Sequence, residues 1–387
     1  MAQSRLEQIE AYLVSIIRDR RDTWDAHVLR LVLKQLSYVY RVVVQFRLGL
    51  YRQGIIRSHT PGIQVISVGN LTVGGTGKTP IVEAFARLLQ KSGRKVAILS
   101  RGYKRVRPPL LTRLVRKITL RAYVDPPLVV SDGKRLLLDS AKSGDEPYML
   151  ASNLPDVAVL VDKDRVKSCK YAINKLHCDT LVLDDGFQYM ALRHRTDIVL
   201  VDCTNPFGNR HLLPRGILRE PVKNIKRAGF IFITKCNGNT NERLVRQLRE
   251  LNPDAEISEC CHCPRYLQDV YTGEQKALEK MKGCSVGAVS AIAVPGGFEN
   301  ELMRLGASIV YSKRYPDHHR YTQQEILEAI NHSIAAGAEM LLTTEKDAVR
   351  YPLIERRDIP IFFMRVEIEM LSGAEAFHDW VARICFQ

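Results

Sequence analysis

The segment GNLTVGGTGKTP, residues Gly69–Pro80, decides the fold class of this chain. It follows the short β-branched run Gln64–Val68 and leads into an apolar-periodic segment from about Thr79 to Gln90. A glycine-rich loop between a strand and a helix is the setting that a Walker A phosphate loop requires. There the glycines let backbone N–H groups point at phosphate oxygens, and the helix N-terminus adds the positive end of its dipole. The segment therefore predicts a nucleotide-binding α/β domain.

The side chains of Lys78 and Thr79 are the groups of this loop expected to contact the phosphates and the metal ion. A lysine at this place reaches the β- and γ-phosphates, and the following hydroxyl ligates Mg²⁺. The regular pattern begins with glycine, where this chain has Thr72, so that Gly74 and Gly75 supply the flexibility. The residues predicted to bind ATP are Thr72, Val73, Gly74, Gly75, Thr76, Gly77, Lys78 and Thr79.

Short apolar runs continue the α/β pattern beyond the loop. They are Lys95–Leu99, Val157–Val161, Thr180–Leu183, Ile198–Val201 and Phe230–Thr234. Near-continuous apolar strands of this kind are typical of a buried parallel sheet. The pattern weakens around Glu256–Tyr271, and a second alternation runs from Ser285 to a last helix at Ala374–Ile384. We therefore expect a P-loop domain over residues 58–255, a linker over 256–283 and a smaller C-terminal α/β domain over 284–387.

The composition excludes several classes of protein, and the net charge favours one kind of partner. The 387 residues are 45% hydrophobic and 26% charged, as in ordinary globular proteins, which excludes disorder, collagen and coiled coil as descriptions of the whole. Lys and Arg number 57 against 42 Asp and Glu, and this net charge of +15 favours anionic partners. The odd count of nine cysteines, irregularly spaced, indicates a reducing compartment. The charged N-terminus predicts no secretory signal.

Residues 1–57 are predicted to form a basic amphipathic helical segment that associates with a membrane. From Ala26 to Arg57 there are six basic residues and no acidic one. Four of the basic side chains share a stripe about 40° wide on a helix; they are Arg30, Lys34, Arg41 and Arg52. Such a helix can lie on an anionic membrane surface. Alternatively, it is a helix that packs on the next domain with a solvated basic face.

Acidic residues follow two of the predicted elements. Asp184 and Asp185 end the run Thr180–Leu183, where a carboxylate beside a phosphate loop can hold Mg²⁺. Asp145 lies in the acidic turn Gly144–Pro147, where it either accepts a hydroxyl proton or caps a helix at Tyr148–Ser152. The spacing alone favours the cap.

Two further polar motifs lie in the second half of the chain. Pro316–His319 (PDHH) follows a predicted strand, and its histidines either assist a base or are inert surface residues. Thr344–Asp347 (TEKD) has the pattern of an N-capped helix start.

Taken in order, these motifs form a specific set. The matching segments are VGNLTVGGTGKTP (Val68–Pro80), SRGY (Ser100–Tyr103), GDEP (Gly144–Pro147), DDGFQ (Asp184–Gln188), FGN and LLPRGILREP (within Phe207–Pro221), PDHH (Pro316–His319) and TTEKDAV (Thr343–Val349). The set resembles that of the tetraacyldisaccharide 4'-kinases of lipid A biosynthesis and spans most of the chain.

The resemblance implies an ATP- and Mg²⁺-dependent kinase. Its reaction transfers the γ-phosphate to the 4'-hydroxyl of tetraacyldisaccharide 1-phosphate and gives lipid IVA. The implied fold is α/β and P-loop kinase-like, with two α/β/α sandwich domains, a short β linker and the site in the cleft between the domains. The implied location is the cytoplasmic face of the bacterial inner membrane, with monotopic or peripheral attachment. The expected partner is an anionic acylated disaccharide lipid, with no nucleic acid and no obligate protein partner.

The same resemblance assigns roles to individual residues. It makes Asp145 the catalytic acid–base residue rather than a helix cap, with His318 as its partner from the second domain. It assigns the phosphates to Lys78. The implied metal-side residues are Thr79, Asp184, Asp185 and Glu220.

A GTPase or P-loop switch protein is a competing interpretation. Thr234–Asn237 (TKCN) resembles the guanine-specificity motif at a strand end. That motif needs an aspartate to accept from the N–H groups of guanine, whereas Asn237 offers an uncharged amide. Competition between ATP and GTP for binding would discriminate the two classes.

The positive charge and a cysteine cluster suggest two more classes, a nucleic-acid binder and a zinc protein. The basic run Arg94–Arg121 has only Tyr103 among its basic residues, where single-stranded nucleic acid would need several stacking aromatics. Cys260, Cys261 and Cys263 surround His262, but adjacent cysteines share a tetrahedral ion poorly, and no second Cys-x-x-Cys pair lies nearby.

Overall fold

The computed structural model describes residues 12–17, 19–102, 125–356 and 358–386. The chain divides into two compact units. The first unit comprises Met1–Leu99, Ile173–Cys261 and Met370–Gln387, and the second comprises Ser100–Ala172 and His262–Glu369. The units alternate along the chain, so this division differs from the contiguous domain ranges expected from the sequence. Most of the basic run Arg94–Arg121 and Tyr103 of the SRGY motif lie outside the described residues.

Helices and strands alternate along the described chain. The helices are α1 (Trp24–Arg52), α2 (Lys78–Lys91), α3 (Ser140–Ser143), α4 (Asp145–Asn153), α5 (Arg165–Asn174), α6 (Glu242–Leu251), α7 (Pro295–Arg304), α8 (Gln323–Ala335), α9 (Glu345–Ala348) and α10 (Ala374–Phe386). The strands are β1 (Gln64–Asn70), β2 (Val96–Ser100), β3 (Leu128–Asp132), β4 (Ala158–Val161), β5 (Thr180–Asp184), β6 (Thr196–Asp202), β7 (Phe230–Thr234), β8 (Glu256–Asp269), β9 (Gln275–Lys276), β10 (Ser285–Ser290), β11 (Ser308–Arg314), β12 (Met340–Thr344) and β13 (Ile361–Ser372). Short 3₁₀ helices occur at Val222–Arg227 and Leu278–Met281.

The first unit is built on a parallel sheet with β1 near its centre. The strand order is β2, β5, β1, β6, β7 and the first half of β8, and each neighbouring pair is parallel. Every residue of β5 and β7 is buried, which explains why both strands are continuous apolar runs in the sequence. The α/β fold expected from the sequence is confirmed. Because the strands are parallel, the loops after β1, β5 and β6 lie at one edge of the sheet.

Helices α2 and α10 close one face of this sheet. Phe85 and Leu89 of α2 are both fully buried. The rings of Phe377 and Trp380 in α10 lie 5.2 and 5.0 Å from the ring of Phe230 in β7. The last helix therefore completes the core of the first unit, although it follows the second α/β alternation in the sequence.

The second unit contains a four-stranded parallel arrangement and an antiparallel pair. The parallel order is β11, β10, β12 and β13, and the antiparallel pair is β3 with β4. The segment expected to be a linker forms the 14-residue strand β8, which pairs in parallel with β7 near its start and antiparallel with β9 near its end. Residues at many positions of β8 are half-buried on both faces, so its sequence lacks the clear period of a one-sided strand.

Helix α1 turns an apolar stripe outward. Val28, Val39, Val42 and Phe46 are each at least half exposed and lie within about 60° of one another on the helix. The buried Ser37 lies on the opposite side of the helix, where its hydroxyl donates to the carbonyl of Leu212 at 2.7 Å. The helix thus packs on the rest of the first unit through this side, while its association with a membrane stays a prediction.

The basic stripe of α1 lies beside the packed face of the helix. The side chain of Arg30 is 14% exposed and its Nε lies 3.1 Å from the carboxylate of Asp19. Lys34 and Arg41 of the same stripe are exposed. The helix thus carries its apolar and basic surfaces on neighbouring sides.

Removal of a core side chain of α2 should destabilise the protein. We expect Leu89→Ala to lower the free energy of unfolding by about 2–5 kcal/mol, because the side chain is fully buried and leaves a cavity. The matched control is Leu353→Ala, whose side chain is 82% exposed, and its effect should stay within about 0.5 kcal/mol. Urea unfolding followed by circular dichroism measures both, and equal effects would contradict this account of the core.

Candidate active site

The loop after β1 has the backbone of a phosphate-binding loop. Gly77, the N-cap of α2, has φ +74°, and Gly74 has φ +128°, conformations that favour glycine. A side chain at Gly69 would also collide with Phe187, since an added Cβ would lie 2.7 Å from the Cβ of that residue. Lys78 is the first residue of α2, so the loop ends at a helix N-terminus. These features bring backbone N–H groups and the helix dipole to one place.

The side-chain amide of Asn70 contacts three residues of the phosphate loop. Its fully buried side chain donates from Nδ2 to the hydroxyl of Thr76 at 3.0 Å, and its Oδ1 accepts from Nζ of Lys78 at 3.4 Å. The buried Thr72, which replaces the usual first glycine, lies 3.4 Å from the same Nδ2. One buried amide therefore connects the start, the middle and the lysine of the loop.

Backbone contacts hold the outer side of the loop. The N–H of Val73 donates to the carbonyl of Ile217 at 2.7 Å, and the N–H of Arg219 donates to the carbonyl of Leu71 at 2.7 Å. The hydroxyl of Thr234, at the end of β7, donates to the carbonyl of Thr76 at 3.0 Å. The LLPRGILREP and TKCN segments thus help to shape the phosphate loop.

Two cations meet the carboxylate of Asp185. Nζ of Lys78 lies 2.9 Å from Oδ1, and Nη1 of Arg219 lies 2.7 Å from Oδ2. Burial alone would raise the pKa of Asp185, but the charges and hydrogen bonds of Lys78 and Arg219 outweigh it and lower that pKa to about 2. The carboxylate is therefore ionised at neutral pH, and it holds the ammonium of Lys78 at the loop.

Asp184 and Thr79 offer oxygen ligands of the kind that Mg²⁺ takes. Asp184 is the last residue of β5 and stands in register with Val68 of β1, the strand that leads into the loop. Its side chain is buried, and Thr79 follows Lys78 in the first turn of α2. A carboxylate and a hydroxyl at this edge fit a magnesium ion bound with nucleotide phosphates.

Glu220 has protein partners of its own. It is 2% exposed, and its carboxylate accepts from Nδ2 of Asn224 at 2.7 Å and from Nη2 of Arg227 at 3.1 Å. These contacts describe a buried ion pair between Glu220 and Arg227. Its place among the metal-side residues stays a prediction, as do the roles of Asp184 and Asp185.

The second unit brings Asp145 and His318 together. Asp145 is 6% exposed, and its Oδ2 lies 2.9 Å from Nδ1 of His318. The N-cap of α4 is Gly144, and no side chain caps the helix. The interpretation of Asp145 as a side-chain cap is therefore wrong. Asp145 is instead the first residue of α4, where the positive end of the helix dipole favours its charge.

Two arginines also face the carboxylate of Asp145. Nε of the fully buried Arg350 lies 3.5 Å from Oδ2, and Nη2 of Arg320 lies 3.7 Å from Oδ1. Burial raises the pKa of Asp145, but the hydrogen bond from His318 and the charge of Arg350, with Arg320, outweigh burial and hold the pKa below its ordinary value. His318 has φ +67°, an uncommon conformation for a residue with a side chain, and its N–H donates to the carbonyl of Ala291 at 3.1 Å.

Several residues of these two clusters were missed by reasoning on the sequence. Asn70, Arg219, Arg320, Lys346 and Arg350 contact predicted site residues. All five lie in or next to the quoted motifs, so the signal was present. The contacts join residues up to 205 positions apart, as Asp145 and Arg350 show, and therefore could not be assigned from spacing.

The segment that suggested a GTPase has ordinary structural partners. Nζ of Lys235 lies 2.5 Å from a carboxylate oxygen of Asp202, and Oδ1 of Asn237 accepts from the N–H of Asn239 at 3.2 Å. Among the described residues, no group of three or more histidine, cysteine or acidic side chains could hold a metal ion.

The parallel sheet, the glycine-rich loop and the Lys78–Asp185 pair define a P-loop nucleotide-binding protein of the α/β class. The model of the LpxK family, tetraacyldisaccharide-1-P 4'-kinase, matches residues 29–385, so the chain belongs to this family. The tetraacyldisaccharide 4'-kinase of Anaeromyxobacter dehalogenans strain 2CP-C is 40% identical over 348 residues, or 89% of this chain and 87% of that protein. The kinase of the same name from Halothermothrix orenii is 31% identical and covers 94% and 92% of the two chains.

A solved structure supports the same assignment. The crystal structure of LpxK from Aquifex aeolicus in complex with ATP superposes with a TM-score of 0.71. It is 29% identical to this chain and covers 92% of this chain and 100% of its own. The predicted family and fold class are thus confirmed.

The ion pair of Asp185 should make stability depend on pH in the acidic range. Because the folded-state pKa of about 2 is below the ordinary 3.8, the stabilisation is present above about pH 4 and is lost as the pH falls towards 2. We expect the melting temperature of the wild type to exceed that of Asp185→Asn at neutral pH, and the difference to shrink below about pH 4.

The matched control for this experiment is Asp254→Asn. Asp254 is exposed, so its substitution should leave the melting temperature close to that of the wild type at every pH. Thermal melts between about pH 3 and pH 7 measure all three proteins. A difference for Asp185→Asn that is the same across this range would contradict the assigned ion pairs.

Proposed function

We propose that this chain transfers the γ-phosphate of ATP to the 4'-hydroxyl of tetraacyldisaccharide 1-phosphate. Membership of the family supports the reaction, and the observation that carries the residue assignment is the buried Asp145–His318 pair, with Oδ2 and Nδ1 2.9 Å apart. A buried carboxylate held by a histidine and two arginines, with a side chain that caps no helix, is suited to accept a proton from a substrate hydroxyl.

The phosphate loop of the first unit binds and orients the phosphates. Nζ of Lys78 is held in place by hydrogen bonds to Asn70 and Asp185. From there its positive charge neutralises negative charge on the phosphoryl group that is transferred. Arg219, the second partner of Asp185, adds positive charge beside the same carboxylate. Bound Mg²⁺ would supply further charge neutralisation at the phosphates, with Thr79 and Asp184 as its proposed protein ligands.

Asp145 acts as the base for the 4'-hydroxyl of the acceptor substrate. The 4'-oxygen forms a bond to the γ-phosphorus, the bond from phosphorus to the β,γ-bridging oxygen breaks, and ADP leaves with that electron pair. The hydroxyl proton passes to the carboxylate of Asp145. A sugar hydroxyl is a weak acid, so its proton leaves late in the transfer. By then the new bond to phosphorus has made the 4'-oxygen less basic. His318 and Arg350 keep the carboxylate ionised and oriented until then.

Substitution of Asp145 tests the reaction and the base together. We expect Asp145→Asn to lower kcat by about 10²–10⁴-fold, because the amide cannot accept the hydroxyl proton. The assay uses purified protein in mild detergent with Mg²⁺-ATP and tetraacyldisaccharide 1-phosphate, and it follows formation of the bisphosphorylated lipid.

The outcomes of this assay separate the two parts of the proposal. Asp254→Asn, the exposed control, should retain wild-type turnover. Full turnover by Asp145→Asn would keep the kinase and discard Asp145 as the base. No product from the wild type, with ATP still bound, would discard the proposed substrate.

We also propose that α1 attaches the chain to the surface of the bacterial inner membrane, on its cytoplasmic side. The outward apolar stripe of α1, which includes Val39, Val42 and Phe46, supports this placement, and exposed basic residues such as Lys34 and Arg41 lie on the neighbouring side. No helix among the residues that the structure describes is long and apolar enough to cross a membrane.

A charged double substitution in the stripe tests the attachment. We expect Val42→Asp with Phe46→Asp to weaken partition to vesicles of phosphatidylcholine and phosphatidylglycerol by about 100-fold or more, because two large apolar side chains lose their burial. The control pair is Val294→Asp with Leu353→Asp, also exposed apolar residues, which should bind as the wild type does. Equal sedimentation of both variants with vesicles would refute the role of the stripe.

A further inference from the structure

Lys346 contacts the ring nitrogen of His318 that does not face Asp145. Its Nζ lies 3.1 Å from Nε2 of His318, while Nδ1 of the same ring lies 2.9 Å from Oδ2 of Asp145. Each ring nitrogen is therefore within hydrogen-bond distance of a charged group, a cation on one side and an anion on the other.

The structure around α9 holds Lys346 in place. Thr344 caps this short helix, where its hydroxyl accepts from the N–H of Asp347. The carbonyl of Lys346 accepts from Nε of the buried Arg350 at 3.0 Å, and Nη2 of Arg350 donates to Asp347 at 2.7 Å. The TTEKDAV motif is thus an N-capped helix start, as its sequence indicates, and it also presents Lys346 to His318.

The charge of Lys346 determines which nitrogen of His318 carries the proton. An ammonium has three donors and no acceptor, whereas a neutral imidazole has one donor and one acceptor. Nε2 must accept from Lys346, so the ring proton resides on Nδ1 and is donated to Asp145. The other tautomer would direct N–H towards an ammonium and a lone pair towards a carboxylate. Asp317 Oδ2, at 3.7 Å from Nε2, is too distant for a hydrogen bond.

We propose that Lys346 is a positioning residue that holds His318 as the Nδ1–H tautomer. The inference rests on the proposed function, because it takes Asp145 as the base and His318 as its partner. A second ring proton would have to bind Nε2, the position that Lys346 occupies. The lone pair of Nε2 is therefore engaged by Lys346, and the proton taken from the substrate hydroxyl stays on Asp145.

The charged groups around this pair lie on several segments of the second unit. Asp145 and Asp317 face the ring of His318 with negative charge, and Lys346 faces it with positive charge. Arg320 and Arg350 face the carboxylate of Asp145. Lys346 is the cation among these groups that contacts Nε2, so it is the one whose removal frees that nitrogen for a proton.

Nitrogen chemical shifts of the histidine ring test the tautomer directly. In the full chain labelled with ¹⁵N-histidine, the His318 signals, assigned by their loss in His318→Gln, should show a protonated Nδ1 and an unprotonated Nε2 at neutral pH. In Lys346→Met, Nε2 should gain a proton. A protonated Nε2 in the wild type would overturn the proposal. Should Lys346→Met fail to fold, the wild-type spectrum still decides.

Kinetics test the consequence of the tautomer. We expect Lys346→Met to lower kcat by about tenfold or more, with KM for both substrates within about twofold. The acidic limb of its kcat–pH profile should move to higher pH, because the substitution removes a positive charge from beside the Asp145–His318 pair. Lys346→Arg keeps the charge and should recover most of the turnover and the wild-type profile. Lys134→Met, at an exposed lysine of the same unit, should match the wild type.

The results distinguish this proposal from the proposed function. A merely structural role of Lys346 would lower activity without a changed pH profile and without recovery by arginine, and that result would overturn the inference. A protonated Nε2 in an active wild-type kinase would overturn the role of Lys346 and leave the kinase standing. Full activity of Asp145→Asn would overturn the base, whereas the ring spectrum of the wild type would still report the tautomer.

Discussion

The parallel packing of β1 between β5 and β6 is the constraint on which the first unit depends. Parallel strands end at the same edge, so the glycine-rich loop, Asp184–Asp185 and the end of β6 meet there without any long-range signal in the sequence. The buried amide of Asn70 then connects the loop to this edge, since an unpaired polar group at that depth would be costly.

Charge compensation is the second common feature of the two units. The charge of Asp185 is compensated by Lys78 and Arg219, and that of Asp145 by Arg350 and Arg320, with a hydrogen bond from His318. In both cases burial would raise the pKa of the carboxyl group, and nearby cations reverse the direction. Both acids thus stay ionised although burial opposes their charge, and an ionised carboxylate can hold a cation or receive a proton.

Much of the fold was predictable because buried parallel strands leave apolar runs in the sequence. Phe230–Thr234 is a strand with the predicted bounds, and the predicted helix Thr79–Gln90 differs from α2 by one residue at each end. Strand β8 was missed, since its half-buried positions follow no single period. The site residues that lie within the quoted motifs were predictable from the sequence. The spacing favoured Asp145 as a helix cap, and the family resemblance corrected that interpretation.

The sequence by itself determined the phosphate loop, because its residues form one short motif. Through the family resemblance of the ordered motifs, it also determined the family and the pairing of Asp145 with His318. Only the tertiary structure decided which cations surround each carboxylate and which nitrogen of His318 faces Asp145. It also decided that the last helix packs in the core of the first unit and that the apolar stripe of α1 faces outward. Such facts depend on contacts between residues far apart in the chain, and no local spacing or periodicity encodes them.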